Sequence, residues 1–507
     1  MVATIKTFAF LGVDVVEVSV QVKISEGIAN FAIVGLPDKA VGESKERVRA
    51  AISSIGLSWP YKKITVNLAP ADLQKEGGHF DLPIALGILI EMGILEQKAV
   101  DNFFVLGELS LDGSINSING TISASIGANE RNCGIICPQV NGKEAAWAGD
   151  LEILAAPNLI ALINHFKGEQ FLSRPENNKN FEEIFYPDLS DIKGQEGAKR
   201  ALEIAAAGGH NILFIGPPGT GKSMLSSRLP GILPPPTLEE ILEINMIHSI
   251  SGNIVDGKLV TSRPYREPHH SCSMPAMIGG GTKAKPGEVS LAHNGILFLD
   301  ELAEFSRQVL DSLRQPLESG NVSVSRVNSR ITYPASFQLV TAMNPCRCGF
   351  LGDANRECKK APNCGEDYKN KISGPLLDRI DIAINVPQVD IFASNLSEEN
   401  YKSESSKEIA IRVSKARKVQ EERYKNEESM QNLPKLNSKI NGKTLEKFTK
   451  LDDDCRKILQ KSVEKMATSM RGITRILRVA RTIADLEMSE DINQNHLLEA
   501  ISYRRKI

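Results

Sequence analysis

One stretch limits the fold before anything else: Gly216-Pro217-Pro218-Gly219-Thr220-Gly221-Lys222-Ser223. The apolar run Asn211 to Ile215 before it reads as a buried strand, and Met224 to Leu229 after it can open a helix. Strand, glycine-rich turn and helix together are the context of a phosphate-binding loop, and they commit this region to an α/β layer. Glycines let successive backbone N–H groups turn inward around phosphate oxygens, and the helix N-terminus adds the positive end of its dipole. Lys222 is expected to reach the β and γ phosphates of ATP, and the Ser223 hydroxyl to ligate Mg²⁺.

Three further segments complete that expectation. Gly295 to Leu299 forms a second buried strand that ends in Asp300 and Glu301. Carboxylates at the C-terminal tip of such a strand stand where open α/β sheets present ligands. Asp300 would hold Mg²⁺, directly or through water, and Glu301 would orient and deprotonate the attacking water. A third strand, Phe337 to Met343, ends in Asn344, either a sensor of the γ-phosphate and lytic water or a simple capping residue. Arg379, in Leu377-Asp378-Arg379-Ile380-Asp381, is a permanently charged five-donor fork, open to an anionic ligand or to an internal pair with Asp378 or Asp381.

At 507 residues and net charge −2, the chain has room for roughly two to four domains and no global excess of positive charge. Nucleic-acid binding would have to rest on local basic patches. No signal peptide and no membrane span are read, so a cytoplasmic location is expected. The boundaries fall at 1–165 for a mixed α/β domain, 166–187 for a polar linker, 188–390 for the ATPase core and 391–507 for a helical region. In the first domain Val16 to Val22 alternates as a half-buried strand, Val41 to Ile55 and Leu82 to Met92 read as helices, and Cys133 and Cys137 read as two buried thiols. His79 reads as structural or surface.

Cys346, Cys348, Cys358 and Cys364 fall within nineteen residues. Four thiolates satisfy tetrahedral Zn²⁺, although the leading C-x-C pair is tighter than the usual spacing; a structural zinc site, reduced thiols, or another metal or redox role are the alternatives. Gly320 to Ile331 alternates as a hairpin carrying Arg326 and Arg330, which are candidates for DNA-backbone contact, for solvent charge or for a subunit contact. Arg263 to His270 and Gly279 to Glu288 read as inserted segments, and adjacent His269 and His270 as locally hydrogen bonded. Lys407 to Glu428 reads as one exposed, charged helix. Between 456 and 481 eight Lys/Arg stand against Glu464 alone, a basic stretch open to ATP, DNA or a neighbouring subunit.

The order of these motifs resembles the AAA+ ATPases of the magnesium-chelatase branch. The match is closer to the YifB/ComM family, whose hallmarks read here as Arg263 to His270, Pro286 to Gly295 and Arg314 to Glu318. The first domain resembles the Lon-protease-like fold related to ribosomal protein S5 domain 2. There the nucleophile position falls on His79 and the lysine position on Ile122, so the resemblance implies a non-proteolytic relative. It also implies that Arg379 meets the γ-phosphate of a neighbouring subunit in a hexameric ring. Arg471 is implied as the lid (sensor 2) arginine, with Arg475 its rival. The activity implied is an ATP-driven motor on single-stranded or branched DNA, promoting branch migration or integration of incoming DNA during natural transformation. A chelatase-like motor remodelling a protein partner is the alternative, and an ATP-dependent protease component is disfavoured by the two dyad positions.

Overall fold

The structure, a computed structural model, describes residues 2–176, 185–254, 257–281, 284–325, 330–351, 358, 360–389, 403–431, 433–466 and 469–504. It divides into two compact units. The first comprises Met1–Glu182 with Leu238–Thr261 and Ser325–Tyr333, and the second Glu183–Thr237, Ser262–Val324 and Pro334–Ile507.

The first unit is built on seven strands: β1 (Ala3–Leu11), β2 (Asp14–Ser25), β3 (Asn30–Val34), β4 (Lys63–Ala69), β5 (Phe103–Val105), β8 (Gly134–Pro138) and β9 (Ile153–Ala156), with β6 (Glu108–Leu109) and β7 (Ile115–Asn116) forming a separate ribbon. The sheet order is β3-β4-β2-β1-β5-β8-β9. β1 and β2 form a tight antiparallel hairpin, with Ala3 opposite Val22 and Leu11 opposite Asp14. Alternation in β2 buries Val18, Val20 and Val22 on one face. Against that face lies the helix Asp81–Glu91, buried from Asp81 through Leu89. The other face carries Phe8 stacked on Phe104 at 4.0 Å and the helix Thr121–Glu130. Cys137 is buried in β8, but Cys133 is only half-buried, because it precedes the strand in a turn where its thiol meets the Arg131 carbonyl.

The second unit holds a five-stranded parallel sheet: β10 (Ile212–Ile215), β11 (Tyr265–Arg266), β14 (Ile296–Leu299), β17 (Gln338–Met343) and β18 (Ile382–Asn385), in the order β11-β14-β17-β10-β18. β14 and β17 are buried along their whole length, as strands of a parallel sheet covered on both faces should be. A short ribbon, β12 (Gly279–Gly280) with β13 (Lys285–Pro286), accompanies it, and β15 (Asn321–Ser325) with β16 (Arg330–Pro334) form a separate two-stranded ribbon. The segment expected as an insertion around Arg263 to His270 therefore supplies a strand of the main sheet. Only two residues pair, too few to leave a periodic signal.

Five helices follow: Ser406–Tyr424, Gly442–Phe448, Asp453–Met466, Met470–Leu486 and Gln494–Ser502. The first opens on a Ser405/Glu408 capping box. It is not the exposed helix its charge suggested. Ile409, Val413, Ala416, Gln420 and Tyr424 form a buried stripe, and Gln420 donates to the Ala207 carbonyl at 3.1 Å. Steps of three and four residues place these side chains on one face, which a count of charges does not register. The fold is thus an α/β core built on a parallel sheet, with a C-terminal helical region. Among the described residues, no helix is long and apolar enough to cross a membrane.

Candidate nucleotide site at the edge of the parallel sheet

The phosphate loop joins the end of β10 to the helix Lys222–Ile232. Its turn needs glycine: Gly221, which precedes the helix, has φ +86°. A Cβ on Gly216 would sit 2.2 Å from the Val386 carbonyl oxygen, so the loop lies flush against the end of β18. Lys222 Nζ donates to the carbonyls of Gly216 at 2.7 Å and Pro217 at 2.8 Å, and to Asn344 Oδ1 at 3.2 Å. Burial pushes its pKa down, opposed by the Asp300 and Glu301 carboxylates. Thr220 Oγ1 donates to the Pro217 carbonyl, and Gln195 Nε2 donates to the Pro387 carbonyl at 2.6 Å beside the loop.

Strand order explains how residues far apart in the chain meet here. β17 lies between β10 and β14, so Asn344 emerges between the phosphate loop and the carboxylate pair. Ser223 Oγ donates to Asp300 Oδ2 at 2.7 Å, and the backbone N–H of Glu301 donates to Asp300 Oδ1 at 2.8 Å. Two oxygen donors side by side at a partly open sheet edge suit a hard cation such as Mg²⁺. Glu301 turns the chain out of β14 with φ +51°, a left-handed conformation that is strained for a glutamate. That bend puts its carboxylate 3.6 Å from His270 Nδ1. His270 stacks on His269 at 4.0 Å, and His269 Nδ1 meets Ser271 Oγ at 2.8 Å, so local bonding does hold His269. His270 lines a cleft of about 660 Å³ with Cys272, Met274, Glu304 and Gln308. The contact between His270 and Glu301 escaped the sequence reading. No local signal marked it: β11 pairs with β14 over two residues only, and the residues after it reach the sheet edge through that pairing.

The arginines divide into engaged and exposed. Arg379 is held inside the chain by Glu318 and by the Pro375 carbonyl, rather than by Asp378 or Asp381. Asp381 is occupied by Arg475 at 2.8 Å and His210 at 3.4 Å. Burial alone would raise the Asp381 pKa, but His210 and Arg475 hold it well below the carboxylate range. Arg471 is exposed on the first turn of the helix Met470–Leu486, which is capped by Ser469. The basic stretch from 456 to 481 is largely used up locally. Arg456 and Lys457 pair with Asp453 and Asp454, Arg478 is buried against Asn441 and the Ile440 carbonyl, and Arg481 binds Asp485. A window opening at 456 left out the acidic residues that precede it. Arg330 is exposed at the start of β16, and Arg326 lies outside the described residues.

Cys346, Cys348, Cys358 and Cys364 converge, with their sulfur atoms all within 4.8 Å of one another. Thiolates at about 2.3 Å from a tetrahedral Zn²⁺ stand roughly 3.8 Å apart, so the donor set fits that ion by type and by spacing.

The first unit treats its polar residues differently. His79 is buried, its Nε2 2.9 Å from the Phe8 carbonyl oxygen, and burial lowers its pKa to about 4. Ile122 is buried in the helix Thr121–Glu130, and its backbone N–H donates to Glu144 Oε1. Glu144 also accepts from Asn141 at 2.9 Å and from Ser249, whose Oγ in turn accepts from the Gly120 N–H. Burial raises the Glu144 pKa against these hydrogen bonds.

Comparison with known proteins covers the whole chain. The profile described as magnesium chelatase, subunit ChlI matches residues 188–393, that of subunit ChlI of Mg-chelatase residues 20–141, and that of the subunit ChlI C-terminal region residues 403–504. Competence protein ComM of Haemophilus influenzae is 43% identical over 511 residues, covering 100% of this chain and 98% of that protein. The uncharacterized protein YifB of Escherichia coli is 43% identical over 500 residues, covering 99% and 96%. An archaeal Lon protease of Thermococcus kodakarensis is 42% identical over 66 residues, 13% of this chain and 10% of that protein.

Proposed function

Because the chain belongs to the ComM/YifB family of magnesium-chelatase-related proteins, and as such is an ATP-hydrolysing enzyme, we propose that it is a ring motor that spends ATP moving DNA. Its substrate on this reading is single-stranded or branched DNA, and its task is branch migration or unwinding that helps incoming DNA integrate during natural transformation. The observation that carries the reading is the near-complete match to a competence protein, supported by the Lys222–Asn344 and Ser223–Asp300 contacts at one sheet edge.

The chemistry is positioning and charge stabilisation. Lys222 Nζ exchanges its loop carbonyls for β and γ phosphate oxygens. Ser223 and Asp300 would hold Mg²⁺, which would supply positive charge against the phosphates. Glu301 orients the attacking water and takes its proton. Asn344, already within reach of Lys222, fixes the same water or the γ-phosphate. Arg379 swings from Glu318 to the γ-phosphate of an adjacent subunit, and exposed Arg471 serves as the lid arginine in place of Arg475, which is committed to Asp381. Zn²⁺ on the four cysteines is structural, because four thiolates leave no open coordination position. The first domain is Lon-like in descent and non-proteolytic, since His79 and Ile122 are sealed in its interior. Arg330 contacts the DNA backbone, and Arg326 is assigned with it from sequence.

The test is ATP-dependent strand displacement on forked, three-strand and four-way DNA, with Glu301→Gln as the control. Displacement that needs ATP and vanishes in Glu301→Gln is the expected result. ATP turnover that neither responds to DNA nor displaces a strand would turn the reading toward a protein-remodelling motor.

A further inference from the structure

The four-cysteine loop touches both halves of the ATP site. It begins directly after Asn344 and Pro345. Gly349, in a left-handed turn at φ +83°, packs so close to the phosphate loop that a Cβ there would lie 2.7 Å from Pro218 Cδ. At the other end, Cys364 opens onto the helix Asn363–Lys369, and a Cβ on Gly365 would lie 3.4 Å from the Pro345 carbonyl oxygen. That helix carries Tyr368, whose buried phenol has its pKa raised by burial and by the nearby Glu304 carboxylate. Lys371 Nζ lies 3.5 Å from the Glu304 carboxylate and 5.2 Å from the Tyr368 ring centroid. Glu304 is in turn tied to the catalytic turn, its N–H donating to the Glu301 carbonyl at 2.8 Å. One side of the loop therefore abuts Pro218 and the other abuts the turn that aims Glu301. The convergence of the four sulfur atoms joins the two sides, beside the packing of Leu351 and Pro345 against Gly365.

We propose that a soft divalent ion, Zn²⁺, on Cys346, Cys348, Cys358 and Cys364 makes this loop a brace spanning the phosphate loop and the carboxylate turn, so that ATP turnover depends on the ion. The proposal rests on the zinc reading above. Its mechanism is mechanical: the ion fixes the distance between Gly349 and Tyr368, and with it the placement of Pro218 relative to Glu301. Misplacement by a fraction of an ångström at such a site is enough to slow chemistry substantially.

The experiment uses the full chain in excess Mg²⁺. Zinc is counted by elemental analysis, and kcat and KM for ATP are measured before and after stripping with a zinc-selective chelator and after Zn²⁺ is returned. One zinc per chain is expected, with a fall in kcat of roughly 10- to 100-fold on stripping and recovery on repletion. Cys364→Ser should reproduce the loss. Tyr368→Phe, which keeps the thiols and removes the hydroxyl from Glu304, should retain zinc and still lower kcat more than it changes KM. That variant decides the matter if stripping unfolds the chain. A protein purified without metal, its four thiols freely titratable, overturns the zinc reading itself. A zinc-loaded protein whose kcat is unchanged both by stripping and by Tyr368→Phe overturns the brace and leaves the zinc in place.

Discussion

Lys222 and His79 are both basic side chains inside the fold, and burial lowers the pKa of each. Their surroundings then diverge. Lys222 is held by two loop carbonyls and an amide oxygen and feels two carboxylates, Asp300 and Glu301. His79 has one carbonyl, from Phe8, and packs against the rings of Phe10 and Phe80. The first setting keeps a cation among partners it can exchange for phosphate oxygens. The second favours a neutral ring with a fixed hydrogen bond. A polar residue in a domain interior therefore becomes a reagent only when its partners are replaceable, and the two units of this chain fall on either side of that line.

Substitutions can break the contrast. The largest effect is expected from Lys222→Ala, which should cut ATP turnover by about 10³-fold; undiminished hydrolysis would remove Lys222 from the chemistry. Glu301→Gln should keep ATP binding and lose turnover by about 10²-fold, and lost binding in an equilibrium titration would assign Glu301 to folding or to Mg²⁺. Glu144→Ala should act on the opposite side of the line. It leaves the Ile122 N–H, the Ser249 hydroxyl proton and one Asn141 amide proton without their acceptor in the interior of the first unit and should destabilise that unit by about 2 kcal/mol in urea melts, with ATP turnover per folded molecule unchanged. His270→Ala should give a few-fold fall in kcat at unchanged KM, because it frees the Glu301 carboxylate without removing it.

The smallest effect concerns pH. His79 titrates near 4 in the fold and near the ordinary value of about 6.5 when unfolded. Its contribution is therefore fully present above pH 6.5, falls as protons bind the unfolded chain, and levels off below pH 4. Relative to neutral pH the first unit should lose roughly 1 kcal/mol at pH 5.5 from this residue alone. His79→Gln, which can still donate to the Phe8 carbonyl, should flatten that slope in denaturant melts.

The candidate nucleotide site was readable in sequence because each of its parts carries a local signature. Apolar runs end in Gly216, in Asp300 and Glu301, and in Asn344, and each ends at the C-terminal edge of a parallel strand. What escaped is set by long-range pairing. β11 is two residues long and takes its meaning from β14 beside it. Glu318 lies 61 residues before Arg379, and nothing in either segment names the other. The helix Ser406–Tyr424 looked solvated because its buried stripe is interleaved with charge, and the basic stretch after 456 looked free because its partners, Asp381, Asp485 and the Ile440 carbonyl, come from other turns and other helices. The Ser249–Glu144 network joins residues 105 apart.

The position of β10 in its sheet has a consequence for how the protein is made. It is flanked by β17 and β18, both of which are synthesised long after it. Ile215 pairs with Met343 on one side and Asn385 on the other, so the phosphate loop leaves the ribosome about 170 residues ahead of its last neighbour. At ordinary elongation rates that is roughly ten to thirty seconds during which an apolar strand has no sheet to join. The seven-stranded sheet of the first unit, whose last strand ends at Ala156, can be complete before β10 appears. Birth order thus gives this chain a first sheet that can pair while the second is still being made, a first unit that closes only once Leu238–Thr261 and Ser325–Tyr333 have followed, and a phosphate loop that must wait for the far end of its own sheet.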